Sequence, residues 1–439
     1  MKRACTYLLF AVLALAASAG TAKAALPAGN AVEQWNKIAE DTVVGSGAFQ
    51  NESLIYMAYE SAAVYDAVVA INGGYEPYGA PIAATAGAST DAAVVEAAYR
   101  TLVNYFPSQA ATLSAEYAEA LSSIPDGQAK SDGQAAGLAA ANEIIALRNG
   151  DGRMTPIAVT STFTTLPFGP GVWRLTPPAF AKPQTPWVAN VRPFVLQSAD
   201  RFLPGPRPSL QSSEWVEAFN EIKDYGAANS SVRTPDETNV AKFWSANVIR
   251  QYNRLARDIA TARGLGLLET ARLAAMVSVI GADAQISCMY AKYHYLFWRP
   301  VTAIDPSAVT SDGYGPVPGF DDGNPATIEQ TGWRPLLTTP NHPEYPAAHG
   351  SITSAMAEVF SSFLATNRID LDIHGFDATG AAGNLNAVRH FDMPNDLRRE
   401  IVDARVWAGL HYRFSGVAGV VLGRKVAKYD LRHAFGPVG

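Results

Sequence analysis

The chain has 439 residues and is organised around its last third, which opens with the stretch Lys292-Tyr-His-Tyr-Leu-Phe-Trp-Arg299-Pro300. Two further pieces follow in order, Pro343-Glu-Tyr-Pro-Ala-Ala-His349-Gly350 and Ala404-Arg405-Val-Trp-Ala-Gly-Leu-His411. Together they supply a lysine, two arginines and two histidines. Side chains of these types can hold a compact oxyanion and move protons on and off it. We therefore take the three pieces as the candidate functional site.

The first piece is predicted to end a helix that Pro300 closes. Lys292 and Arg299 are seven residues apart, which is close to two helical turns. We therefore expect both side chains on one face, about 10 Å apart along the axis, from where they can converge on one anion. The alternative is that both cations lie on a solvated face while Phe297 and Trp298 turn into the core.

The second piece is predicted to be a tight turn that opens a helix. The first amides of a helix have no intrahelical acceptor, and the helix dipole favours an anion beside them. An oxyanion could accept hydrogen bonds from the amides near Ala348 and His349 while the His349 side chain stands beside it. The alternative is that His349 only caps the helix.

The third piece places Arg405 and His411 six residues apart, which is about 240° around an ideal helix. The two side chains can share a site only if the helix ends between them, and Gly409 is the predicted break. The alternative is that Arg405 is a buried arginine paired with Asp403 or Asp396.

Taken jointly, the three pieces resemble the vanadium-dependent haloperoxidases and the acid phosphatases of the type 2 phosphatidic acid phosphatase superfamily. The pattern of that family is Lys, six residues, Arg-Pro; then Pro-Ser-Gly-His; then Ser-Arg, three residues, Gly, one residue, His, three residues, Asp. Upstream, the resemblance is to the secreted bacterial branch, which is similar to the fungal chloroperoxidase. It is carried there by Ala63 to Ala67, Pro77-Tyr78, Phe106-Pro107 and Arg148 to Gly152.

The resemblance implies an all-α fold of two packed helical bundles and a vanadate cofactor. Lys292, Arg299 and Arg405 would neutralise the oxygens of vanadate or phosphate, and Lys292 would also polarise hydrogen peroxide. His411 would be the axial vanadium ligand, or the nucleophile of a phosphatase. His349 would be the acid–base group. Vanadium would act as a Lewis acid without a change of oxidation state.

The chain departs from the family pattern at three positions. Ala347 replaces the serine of the second motif, so a hydroxyl donor worth about 1–3 kcal/mol is lost. Ser415 replaces the final Asp, so the carboxylate that could orient a site histidine is expected to be missing. Such a loss often costs about 10–100-fold in affinity or activity. A lesser departure is Ala404 in place of the serine before Arg405.

His342, seven residues before His349, informs the choice of halide. Bromoperoxidases of this family tend to carry a histidine there and chloroperoxidases a phenylalanine, so the resemblance favours bromide. The alternative is a loop histidine beside Pro340 and Pro343. We interpret the remaining histidines as structural, namely His294, His374, His390 and His433.

The amino terminus is predicted to be a signal peptide. Lys2 and Arg3 precede an apolar run, and Ala22-Lys23-Ala24 is a small-residue cleavage site, so residues 1–24 are expected to be removed and the protein exported to the periplasm or beyond. An uncleaved anchor is the alternative. Cleavage would change the formal charge from −6 to −9, because three cations leave and no acid does. Such a net charge argues against nucleic-acid binding, and the remaining Cys288 has no disulfide partner.

Residues 25–439 are predicted to form a single all-α domain, with catalytic helices within 267–430. Residues 155–210 are rich in proline and aromatic residues and are interpreted as an ordered excursion over the helices, or alternatively as a boundary between two lobes. No membrane span is expected after the leader. The sequence leaves the oligomeric state open.

Three functions are compatible with these features. The first is a peroxidase that oxidises halide, bromide favoured, with hydrogen peroxide to hypohalous acid. The second is a soluble phosphatase that acts on a small phosphoester at the same residues without vanadium. The third is a weakly active helical scaffold that binds anions, which Ala347 and Ser415 would favour.

Overall fold

A computed structural model describes residues 26–155, 169–305, 307, 321–375 and 387–438. The predicted signal peptide lies outside the described residues. The described residues form thirteen α-helices and one two-stranded antiparallel sheet, so the prediction of an all-α helical-bundle fold is confirmed.

The helices follow one another along the chain as α1 (Ala31–Gly45), α2 (Gln50–Asn72), α3 (Thr90–Tyr105), α4 (Ala110–Ser122), α5 (Gln128–Leu147), α6 (Ser213–Tyr225), α7 (Pro235–Phe243), α8 (Val248–Arg263), α9 (Leu267–Tyr295), α10 (Pro300–Ile304), α11 (Ala348–Phe363), α12 (Pro394–Trp407) and α13 (Arg413–His433). Two short 3-10 helices span Pro107–Gln109 and Pro186–Asn190. The sheet pairs β1 (Leu371–His374) with β2 (Val388–Phe391).

Capping side chains set several helix ends. Thr234 caps α7: its hydroxyl accepts from the amide of Glu237 at 3.2 Å, and the Glu237 carboxylate accepts from the Thr234 amide at 2.7 Å. The sequence between Thr234 and Arg263 does not form one continuous helix. It is divided into α7 and α8 because Asn247 starts a new helix, accepting from the amide of Ile249 at 3.0 Å.

The centre of the protein is the contact between α2 and α9. Gly281 lets α9 approach α2 closely, because a Cβ there would lie 3.3 Å from the Leu54 side chain, and the hydroxyls of Ser61 and Ser278 are hydrogen-bonded at 3.0 Å across the contact. By length and apolar composition alone, α2 and α9 could cross a membrane, but 89% and 94% of their most apolar windows are buried inside the protein. Such burial is also what the core helices of a globular domain show.

The proline-rich excursion packs onto this core in its described part, residues 169–209. The Asp283 carboxylate of α9 accepts hydrogen bonds from the amides of Phe194, Val195 and Leu196, at 2.6, 2.8 and 2.9 Å. Trp187 lies in the main hydrophobic core. One buried carboxylate and aromatic side chains therefore hold a segment whose regular secondary structure is the short 3-10 helix Pro186–Asn190.

Helices α11 and α13 make the most extensive helix contact in the described chain. Glycines allow their backbones to touch: a Cβ on Gly419 would lie 2.3 Å from the carbonyl oxygen of Ala347, and one on Gly423 would lie 1.8 Å from that of Ser351. This contact fixes the first turn of α11 against α13, and both helices begin beside the candidate site.

Candidate oxyanion site

The two cations of the first piece both contact the region of the second piece, but they do not approach it from one helical face as predicted. Helix α9 ends at Tyr295, and Leu296 adopts a left-handed conformation with φ of +48°. Arg299 is therefore not on the helix of Lys292 but is the N-cap of α10, and the expectation of a shared helical face is wrong. Both side chains are nevertheless fully buried, so the alternative of a solvated face is wrong too.

Backbone carbonyls of the second piece bind both cations. The Lys292 ammonium donates to the carbonyl oxygens of Pro343 at 3.0 Å and Glu344 at 2.9 Å. Arg299 Nε donates to the carbonyl oxygen of His342 at 2.9 Å. Two cations seven residues apart are thus held by three consecutive carbonyls, that of His342 just before the second piece and those of Pro343 and Glu344 within it.

Arg299 also contacts the third piece. Its Nη1 donates to the carbonyl oxygen of Leu410 at 2.9 Å and lies 3.2 Å from Nε2 of His411. Its Nη2 lies 3.0 Å from Nδ1 of His342. An arginine can only donate, so His342 Nδ1 accepts, although it also lies 3.2 Å from the carbonyl oxygen of Pro343. The ring proton of neutral His342 is therefore on Nε2.

The predicted helix break at Gly409 is present. Helix α12 ends at Trp407, and Gly409 has φ of +75° with no room for a side chain, because a Cβ would lie 2.5 Å from the carbonyl oxygen of Gly226. The amide of His411 returns to the carbonyl oxygen of Arg405 at 3.3 Å. This turn places Arg405 and His411 side by side despite their 240° offset on an ideal helix.

The alternative ion pairs for Arg405 are not formed. Asp403 pairs with Arg413 and Asp396 pairs with Arg399. Arg405 donates instead from Nη1 to the carbonyl oxygen of Trp244 at 3.1 Å. Its Nε is buried and has no hydrogen-bond partner among the described residues.

The second piece opens α11 as predicted. Ala347 is the N-cap and supplies no side-chain hydrogen bond, and the amide of Ser351 makes the bond to the Ala347 carbonyl oxygen at 3.1 Å. The amides of Ala348 and His349 lie in the turn before that bond. His349 is partly buried, and its Nε2 is buried without a partner in the described part of the chain.

Sequence reasoning missed Glu344. Its side chain is fully buried, and Oε1 lies 2.9 Å from Nδ1 of His411 and accepts from the Tyr412 amide at 3.1 Å. A carboxylate therefore does face a site histidine, contrary to the expectation drawn from Ser415. The available signal was an acidic residue inside a proline-rich motif, but only the tertiary fold shows which histidine it meets.

The site carries an excess of buried positive charge. Lys292, Arg299 and Arg405 form no ion pair with any described acid, and Glu344 is the carboxylate that lies among them. Burial lowers the pKa of Lys292 to about 7, that of Arg299 to about 10 and that of Arg405 to about 9. Neighbouring cations add to the pKa shifts of Lys292 and Arg405, whereas Glu344 opposes that of Arg299. An anion at their centre would offset both effects.

Burial also shifts the pKa values of the other ionisable groups of the site. Burial raises the pKa of Glu344 to about 7, against the opposing effect of Lys292 and Arg299. Burial, followed by the neighbouring cations, holds the pKa of His349 and of His411 well below the usual histidine range. Both rings are therefore neutral. Cys288 is fully buried and its thiol pKa is raised to about 11, as expected of an inert cysteine.

The residues present fit a tetrahedral oxyanion. Arg405 Nε and His349 Nε2 are buried without a partner among the described residues, and His349 lies in the opening turn of α11. Among the described residues, no group of three or more His, Cys, Asp or Glu side chains could hold a bare metal ion. Vanadate differs from such an ion because it is an anion, and cations with one histidine suffice for it. The methyl group of Ala347 leaves one donor fewer than the family pattern has.

The carboxy-terminal part of the chain matches known proteins in sequence. Residues 272–438 match the family of the VCPO second helical-bundle domain. The vanadium chloroperoxidase of Curvularia inaequalis is 26% identical over 283 residues, which are 51% of this chain and 44% of that protein. The matched region thus spans less than half of that relative's length.

Solved structures extend the likeness to nearly the whole chain. The structure described as the first bacterial vanadium-dependent iodoperoxidase superposes with a TM-score of 0.74 at 23% identity, covering 94% of this chain and all of that one. A holo-type bacterial vanadium-dependent chloroperoxidase superposes with a TM-score of 0.66 at 17% identity, covering 87% and 92%. At these low identities, the superpositions establish a shared fold.

The buried side chains of Lys292, Arg299 and Arg405 lie on a helical scaffold that the solved bacterial vanadium-dependent peroxidases share. In its carboxy-terminal helical bundle and in its fold, the chain is similar to the vanadium-dependent haloperoxidases, as the sequence motifs had indicated.

Proposed function

We propose that this protein is a vanadate-dependent haloperoxidase that oxidises halide with hydrogen peroxide to hypohalous acid. The observation that carries the proposal is the buried cluster of Lys292, Arg299 and Arg405, which no described acid pairs with. Three buried cations of this kind are costly unless an anion binds among them. Bound vanadate supplies Lewis-acid chemistry that activates peroxide.

The residues of the chain have separate tasks in this proposal. Lys292, Arg299 and Arg405 neutralise the oxyanion, and the amides at the start of α11 add donors. His411 would hold the vanadium of bound vanadate through Nε2. His349 carries a buried Nε2 without a partner among the described residues, so it is placed to accept a proton from hydrogen peroxide bound at the site.

We propose bromide as the preferred halide, on the basis of His342. Its Nδ1 is occupied by Arg299, which leaves the Nε2 proton as a donor. The test is the rate of oxidation of chloride, bromide and iodide by the wild type and by His342→Phe. A fall in the bromide-to-chloride ratio in the variant supports the role of His342, and an unchanged ratio contradicts it.

A phosphatase is the second candidate, and the contact between Glu344 and His411 favours it. A neutral histidine whose Nδ1 proton faces a carboxylate keeps its Nε2 unprotonated, and Nε2 can act as a nucleophile once Arg299 turns to the phosphate. The substrate would be a small phosphoester, and the same cations would hold its phosphate group.

We also propose that the protein is exported and that cleavage before Ala25 yields the working form. The support is the leader sequence alone, with its basic start, apolar run and small-residue cleavage site. Amino-terminal sequencing of protein recovered outside the cytoplasm tests this. A mature chain that begins at Ala25 supports export, whereas an intact Met1 contradicts cleavage.

Parallel assays of the purified mature protein test the main proposal. Peroxide-dependent bromination of a phenolic dye and hydrolysis of p-nitrophenyl phosphate are measured with and without orthovanadate. A peroxidase gains bromination with vanadate, whereas a phosphatase is inhibited by it. Arg405→Lys should lower the active rate, while the control Arg399→Lys, on the exposed face of the same helix, should not. Absence of bromination at every vanadate concentration refutes the peroxidase, and absence of both activities indicates the anion-binding scaffold.

A further inference from the structure

We propose that Glu344 is the positioning residue of His411. It fixes the ring proton on Nδ1 and thereby keeps Nε2 free for the oxyanion. The motif pattern of the family assigns a carboxylate four residues after this histidine, where this chain has Ser415. The carboxylate here comes instead from the second piece. The inference depends on the proposed function only for the identity of the anion.

The hydrogen bonds of His411 determine its tautomer from both sides. Arg299 Nη1 lies 3.2 Å from His411 Nε2, and a guanidinium can only donate, so Nε2 carries no proton. The single proton of the neutral ring is then on Nδ1, which lies 2.9 Å from Glu344 Oε1. If Arg299 turns to a bound oxyanion, Glu344 is the partner that still holds this tautomer.

Glu344 is itself rigidly held. Its amide donates to the carbonyl oxygen of Phe297 at 2.9 Å, and its own carbonyl oxygen accepts from Lys292 at 2.9 Å. Oε1 accepts from the Tyr412 amide as well as facing the ring. Because the backbone and one carboxylate oxygen are fixed, the ring of His411 is oriented and not merely contacted.

The surroundings of Ser415 show why this chain carries its carboxylate at position 344 and none at position 415. It is fully buried, and its hydroxyl donates to the Glu344 carbonyl oxygen at 3.5 Å. An Asp at 415 would stand beside the buried Glu344 carboxylate, and two carboxylates in one buried site repel each other. One carboxylate at either position can serve the histidine, whereas both together are unfavourable.

Two substitutions separate the hydrogen-bond acceptor from the charge. Glu344→Gln removes the charge but keeps an oxygen, which the Tyr412 amide orients toward His411. Glu344→Met removes the charge and the acceptor at similar length. Both variants remove the same negative charge from the anion site. The difference between the two variants in tautomer or in anion affinity therefore measures the effect of the hydrogen-bond acceptor alone.

The primary test is the tautomer of His411, read from the ring nitrogen shifts in ¹⁵N NMR spectra of the mature protein without added anion. The signal is assigned by its loss in His411→Gln. We expect the Nδ1–H form in the wild type and in Glu344→Gln, and a mixture of tautomers in Glu344→Met. A pure Nδ1–H form in Glu344→Met overturns the proposal, and this readout needs neither vanadate nor activity.

The second test is affinity for orthovanadate and for inorganic phosphate by titration calorimetry. We expect Glu344→Met to bind about 10–100-fold more weakly than Glu344→Gln. Ser415→Asp should weaken binding in the wild type but restore it in Glu344→Met, which a purely structural role of Glu344 does not predict. Equal affinities of the Gln and Met variants contradict the positioning role. If the wild type binds neither anion, the proposed function fails, while the NMR result still decides the role of Glu344.

Discussion

The contact between α11 and α13 should govern both stability and anion binding, and Gly423→Ala tests this. A Cβ on Gly423 would lie 1.8 Å from the carbonyl oxygen and 2.6 Å from the carbonyl carbon of Ser351, whereas ordinary contacts begin near 3.4 Å. Both atoms belong to the backbone, so no side-chain rotation relieves the clash. The two helices must separate locally by roughly 1.5 Å.

The expected cost has two parts. Overpacking of this kind typically destabilises a fold by about 1–3 kcal/mol, from which the better helix propensity of alanine recovers at most about 1 kcal/mol. Ser351 lies two residues after His349, so the shift also moves the first turn of α11 away from His411. A displacement of about 1 Å at such a site can cost up to 100-fold in activity.

Urea unfolding and orthovanadate titration measure the two effects. Gly45→Ala is the matched control, because Gly45 is helical and exposed and no atom lies within 4 Å of a Cβ built there. We expect Gly45→Ala to be as stable as the wild type or slightly more stable, with unchanged affinity. If Gly423→Ala keeps both the stability and the affinity of the wild type, the close helix contact does not position the site.

Three further predictions concern buried groups in the fold and at the helix start. Burial raises the pKa of Glu60 to about 8, so the native state binds its proton more tightly than the unfolded state and stability falls as pH rises from about 4.5 to 8, by at most about 5 kcal/mol. Glu60→Gln should lack this fall in urea unfolding at several pH values; a parallel pH dependence contradicts it. Arg148→Met should lower the free energy of unfolding by about 3–5 kcal/mol, because it leaves the Asp151 carboxylate, now 2.9 Å from the guanidinium, buried and unpaired; a loss below 1 kcal/mol refutes this. Ala347→Ser should tighten orthovanadate binding about fivefold or more by adding a hydroxyl at the start of α11, and calorimetry showing weaker binding contradicts the geometry.

The candidate site residues could be named from the sequence because their order and spacing form a joint pattern. The structure brings Lys292, Arg299, His349, Arg405 and His411 into one buried cluster. The break at Gly409 was also predictable, since glycine is the residue that tolerates its positive φ.

The path of the chain between the cations was not predictable. Leu296 ends α9 in a left-handed conformation that leucine rarely adopts, and no local signal announces it. The sheet was missed because each strand has four residues, too few for an alternating pattern. Glu344 was missed for a different reason: its partner is 67 residues away in sequence and is chosen by tertiary packing.

The central claim is that three buried cations and a neutral histidine form one pocket for a tetrahedral oxyanion. Titration calorimetry of the mature wild-type protein with orthovanadate, repeated in the presence of inorganic phosphate, tests it most directly. We predict one saturable site per chain, with phosphate competing for it. Absence of saturable binding, or binding that phosphate leaves unchanged, would contradict the claim.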